Sequence, residues 1–143
     1  MYMKKMINIA FGYAIAAMAG GVFYREFTKF NGFEGRTSLA FVHTHLFLLG
    51  MVMFLVTALF VGKLEDLCRS RKWKAFMVIY NIGVPLTALM LLIRGVIQVL
   101  GIKGSAALDA SISGIAGIGH ILTGVGIVLL FLCLKECAAK NEK

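Results

Sequence analysis

The sequence predicts an all-α integral membrane protein, a bundle of four transmembrane helices with both termini in the cytoplasm. Three observations carry that reading. Of 143 residues, 59% are hydrophobic and only 15% charged, with one proline and a mean hydropathy of +0.85. A soluble domain of this size has too little interior to hide so much apolar surface, so lipid is its solvent. Four apolar stretches are each of membrane-crossing length, and the basic residues fall unevenly between the segments that join them.

The first stretch, Ile7 to Phe23, is the shortest. Lys4 and Lys5 precede it and Ala17-Met18-Ala19 resembles a signal-peptidase site, but we read it as a retained helix. The second runs from Leu39 to Val61, after an outer loop, Arg25 to Ser38, in which Asn31-Gly32 and Glu34-Gly35 mark turns. A short charged loop, Gly62 to Lys74, leads to the third stretch, Ala75 to Val99, so these two helices are expected to be antiparallel neighbours. Trp73 is expected at the interface as an anchor. Pro85 is expected to loosen the bond to the Asn81 carbonyl and leave a polar patch for Tyr80 and Asn81. The fourth stretch, Ile112 to Leu134, follows a small-residue loop, with Ser111 or Ser113 as its cap. Lipid requires every backbone group to bond internally, and nothing alternates with a strand period, so all four are helices in one domain spanning 1–143.

A formal charge of +8 raises nucleic acid as a partner, but topology explains the charge better. Lys4, Lys5, Lys63, Arg69, Arg71, Lys72, Lys74, Lys135, Lys140 and Lys143 fall on one side, and Arg25, Lys29, Arg36 and Lys103 on the other. The positive-inside rule puts the richer side, with both termini, in the cytoplasm of a multi-pass protein of the bacterial cell membrane. Cys68, Cys133 and Cys137 then lie at the reducing face, where the pair one turn apart reads as packing rather than a metal site.

The chemistry concentrates on His43, His45 and His120, all inside predicted helices. Ionisable side chains in lipid are costly and usually face a protein interior. Counting about 1.5 Å per residue from Ser38 and Ser113 places His45 and His120 at a common depth, roughly 10 Å below the outer surface. His43 and His45, two residues apart, differ by about 200° around the axis and should face opposite sides. Gly117 and Gly124 lie three before and four after His120 on the same face, flat enough for another helix or a porphyrin edge. Arg94, joined by Arg25 or Arg36, suits propionate carboxylates. A bis-histidine haem b explains imidazoles on two helices, the glycines and the arginine together. A zinc or copper site, the latter with Met51 and Met53, is the alternative, and a structural protein without cofactor is a further one.

The segment His43-Thr44-His45-Leu46-Phe47-Leu48-Leu49-Gly50 resembles the His-x-His helix of catalytic subunits of haem-copper oxygen reductases and nitric oxide reductases. The resemblance covers one helix. It implies a low-spin haem on His45, a second or high-spin centre on His43, and His120 as the opposite low-spin ligand. It also implies a homotrimer, since those subunits consist of three four-helix arcs and this chain has the length of one. The chain has no further histidines for an active-site copper and no Cys-x-x-Cys-His, so oxygen reduction and c-type attachment are not expected. As a whole the sequence is similar to a small uncharacterised bacterial family of four-helix membrane proteins. The expected roles are electron transfer or diatomic gas sensing, and nothing in the residues marks the redox partner or a catalytic step.

Overall fold

In the computed structural model, which describes residues 2–64 and 67–141, four helices are long and apolar enough to cross a membrane. They are α1 (Tyr2–Phe30), α2 (Leu39–Lys63), α3 (Arg71–Val99) and α4 (Ala106–Asn141). Lys143, counted above on the basic side, lies outside the described residues. Large apolar side chains such as Phe11, Leu48, Leu59, Val78, Ile121 and Phe131 are exposed, as lipid-facing residues must be.

The helices extend past the apolar stretches that announce them. The first is not confined to 7–23, because Lys4, Lys5, Arg25 and Glu26 are all helical; the ladder continues beyond the hydrocarbon, where polar side chains reach water. The outer loop therefore shrinks to 31–38, and Gly32, at φ +58°, makes the turn that ends α1. The fourth begins at Ala106 rather than Ile112. Its first turn is capped by Ser105, whose Oγ accepts the Leu108 amide, while Ser111 and Ser113 bond back to the Ala107 and Asp109 carbonyls within the helix. At the start of α3, Ser70 Oγ accepts the Trp73 amide, and the Trp73 side chain is buried against Phe76 rather than standing at the interface.

The spans pack in chain order, α1 on α2, α2 on α3 and α3 on α4, with α3 and α4 sharing the most extensive interface. An inner core joins Met6, Ala10, Phe54, Phe76, Tyr80 and Cys133; a smaller outer one joins Ala17, Val42, Leu46 and Ala88. Lipid tails are as apolar as these side chains, so burial alone gives little drive, and close backbone approach takes its place. A methyl at Gly83 would stand 2.6 Å from the Thr123 amide nitrogen, one at Gly119 2.6 Å from Thr87 Oγ1, and one at Gly95 2.5 Å from the Leu39 nitrogen. α3 continues through Pro85. Its polar neighbours bond elsewhere: Tyr80 Oη donates 2.7 Å to the Leu49 carbonyl, Tyr13 Oη donates 3.3 Å to Asn81 Oδ1, and Asn81 Nδ2 donates to the Met77 carbonyl.

α2 is not the regular helix its sequence suggests. Leu46–Val52 is a π-helix, flanked by α-helical Leu39–His45 and Met53–Lys63. The wide turns start directly after His45.

Two glycines separate packing from open surface. Gly95→Ala is expected to destabilise the protein by roughly 1–3 kcal/mol through overpacking. Gly124→Ala, where a methyl would meet nothing within 4 Å, is expected to be neutral or slightly stabilising. Thermal unfolding in detergent distinguishes the two.

Candidate cofactor site

The imidazoles of His45 on α2 and His120 on α4 meet across α3, with ring centroids 6.3 Å apart and planes at 90°. Each ring is fixed by its own helix: His45 Nδ1 lies 2.8 Å from the Phe41 carbonyl and His120 Nδ1 2.8 Å from the Ala116 carbonyl, each four residues earlier. A carbonyl oxygen only accepts, so Nδ1 carries the proton and the neutral ring keeps its lone pair on Nε2. That is the tautomer a metal-ligating histidine needs, with the second nitrogen held by a carbonyl.

Two metal–nitrogen bonds of about 2 Å each, plus half a ring on either side, amount to roughly 6 Å between centroids, close to the separation of these two rings. Among the described residues, no three His, Cys, Asp or Glu side chains are grouped to hold a metal ion. A bare zinc needs three or four protein donors. Haem brings four nitrogens of its own and asks the protein only for axial ligands. The donor set suits the second case.

The surroundings are flat and open. His120 is exposed, and methyl groups placed at Gly114, Gly117 and Gly124 would meet nothing within 4 Å. Arg94 reaches α4 seven residues before His120, donating 2.5 Å to Ser113 Oγ, with Asp109 Oδ1 at 3.9 Å. It stands roughly 10 Å outward of His120 along the axis. Arg25 pairs instead with Glu26 in an exposed position, and Arg36 lines a cavity of about 320 Å³ with Tyr24, Phe41 and Gln98.

His43 is separate from this pair. Its ring faces α1, near-parallel to Tyr24 at 6.3 Å and 15°, and a methyl at Gly21 would touch it at 3.7 Å. Its Nδ1 is buried with no hydrogen-bond partner among the described residues. The opposed directions read from a two-residue spacing are those observed. The two carbonyls that fix the other rings carry no mark in sequence, because every helical residue offers one.

The three thiols gather at the opposite end of the bundle. All are buried; Cys133 Sγ lies 3.2 Å from Ser70 Oγ and reaches the Leu67 carbonyl at 3.7 Å. Burial, then the neighbouring Cys133 and Cys137, push the Cys68 thiol above its ordinary value.

The family model described as "Protein of unknown function (DUF2871)" matches residues 3–137, nearly the whole chain, and the protein belongs to that family. No curated protein and no solved structure matches it.

A raised thiol holds less thiolate at neutral pH, and thiolate is the nucleophile. Iodoacetamide at pH 7.5 should therefore label Cys68 more slowly in the folded protein than in denaturant, a ratio that peptide mass spectrometry measures.

Proposed function

We propose that the protein is a membrane haem b protein, with His45 and His120 as the two axial ligands and electron transfer as its role. The observation that supports this most is the pair of facing imidazoles, each with Nδ1 occupied by a backbone carbonyl and Nε2 left for a metal. Two protein donors at this spacing are what haem requires and fewer than zinc requires.

Bound haem would supply one-electron chemistry at its iron. The chain's own residues do the rest. The Phe41 and Ala116 carbonyls keep the proton off Nε2 and make each imidazole a stronger donor. Gly117 and Gly124 leave room beside His120 for the ring's flat body, and Arg94 stands outward on the same pair of helices, able to exchange Ser113 and Asp109 for a propionate. His45 and His120 would both be engaged in holding the group, so a gas could gain a place only by competing with one of these side chains. That favours electron transfer over gas sensing.

The reading extends to the setting. The basic residues cluster on the side carrying both termini, which supports cytoplasmic termini in a bacterial cytoplasmic membrane. The His-x-His resemblance supports self-association as a homo-oligomer, for which it suggests a trimer.

Protein purified from haem-supplied cells should show a Soret band and sharpened visible bands on reduction. His45→Ala and His120→Ala should each lower haem occupancy at least about tenfold, the order expected when an axial ligand is lost. His43→Ala should retain it. A preparation that stays colourless after haem loading overturns the reading. Gly117→Leu should lower haem occupancy while leaving the unfolding temperature of haem-free protein unchanged, since the side chain would enter open space.

A further inference from the structure

The span that carries His45 is also the one whose ladder widens, and the widening begins at the next residue. The buried face of α2 shows why. Val42, Leu46, Gly50, Phe54 and Ala58 are all buried and recur at every fourth position. A straight α-helix turns about 100° per residue, so a stripe on every fourth residue drifts by roughly 40° per step and by about 160° from Val42 to Ala58. An i→i+5 turn takes one residue more than an α turn and so removes about 100° of that drift. With it, Phe54 and Ala58 reach the inner core while Val42 and Leu46 reach the outer one.

Specific contacts hold the wide turn. Gly50 sits so close to the ring of Tyr13 on α1 that a methyl would overlap it. Tyr80 on α3 donates its hydroxyl to the carbonyl of Leu49, inside the π segment, where the α ladder is interrupted. Tyr13 in turn donates to Asn81, the neighbour of Tyr80. α1 and α3 thus hold the segment together.

We propose that this π turn aims His45 at His120, and that Gly50, Tyr13 and Tyr80 act as its positioning residues. If α2 were α-helical throughout with its inner half packed as observed, the outer half would be rotated by about 100°, and His45 would leave the α4 side. The aim is a property of the helix pair; only the consequence for haem rests on the functional reading above.

The test therefore uses two readouts. The first is a cross-link between His45→Cys and His120→Cys by a short bifunctional thiol reagent, identified by peptide mass spectrometry; the native thiols are buried. The second is haem occupancy in protein with both histidines present. Deleting Leu48, a lipid-exposed residue inside the π segment, closes the ladder to an α-helix. The cross-link is expected to fall at least tenfold and haem to be lost, with helix content by circular dichroism and particle size unchanged. A deletion variant that cross-links as well as its parent overturns the proposal. Tyr80→Phe and Gly50→Ala decide the matter should the deletion fail to fold: each is expected to weaken both readouts, and no change in either variant also overturns it. A parent that cross-links but never binds haem overturns the haem reading instead, while the comparison of cross-links still decides the role of the turn.

Discussion

Lipid offers these helices no reason to leave it, and the architecture follows from that constraint. A leucine gains little by exchanging an acyl chain for another leucine, so association depends on how closely two backbones can approach. The contacts that join the spans are accordingly made by the smallest residues. Gly50 receives Tyr13, Gly95 receives Leu39, and Gly83, Gly119 and Gly126 seat α3 against α4. Each gives up the helix preference an alanine would have, about 1 kcal/mol, in exchange for dispersion contact along a whole interface. Polar groups add direction where packing alone would slide: Thr37 Oγ1 donates to the Gly95 carbonyl, and Tyr80 to that of Leu49.

This constraint also decides what can be read from sequence. The four spans were legible because hydropathy is a one-dimensional property that bilayer thickness converts directly into helices. Their ends were not, because hydropathy marks the edge of the hydrocarbon whereas the ladder stops only where a turn residue stops it. Lys4 and Glu26 are polar and helical at once, and Gly32 ends α1 well beyond Phe23. The opposition of His43 and His45 was legible for the converse reason: two residues in any α-helix differ by about 200°, whatever surrounds them. Their partners were not, since Tyr24 and the carbonyls of Phe41 and Ala116 become special only through position. The π turn leaves only a faint trace in the sequence. Small or apolar residues at Val42, Leu46, Gly50, Phe54 and Ala58 repeat too slowly for a straight α-helix, but within a span apolar all round, such a stripe does not stand out.

The three histidines show how the same residue type is divided between tasks by local bonding. Two have their Nδ1 proton taken by the preceding turn and are left with one free nitrogen each. The third lies along the Tyr24 ring, with Nδ1 buried and unpartnered among the described residues. An unsatisfied buried acceptor or donor costs about 1–3 kcal/mol, so His43 is under a demand that the other two do not feel.

The glycines of α4 carry the argument one step further, because they fall into two kinds. Gly119 and Gly126 are explained by α3, which occupies the space a methyl would need. Gly114, Gly117 and Gly124 are not explained by anything within the chain: a methyl at any of them meets open space. Three unneeded glycines in a helix interior forgo roughly 2–3 kcal/mol of helix preference relative to alanine. Packing inside the monomer returns none of it. Their flatness is open to something outside the polypeptide, and two of them flank the exposed His120, whose ring lies 6.3 Å from that of His45. A second helix could use the flatness but has no use for the paired imidazoles. Under the proposed reading a planar, metal-centred ligand would use both, and that coincidence on one helix face would link the packing of α4 to its chemistry.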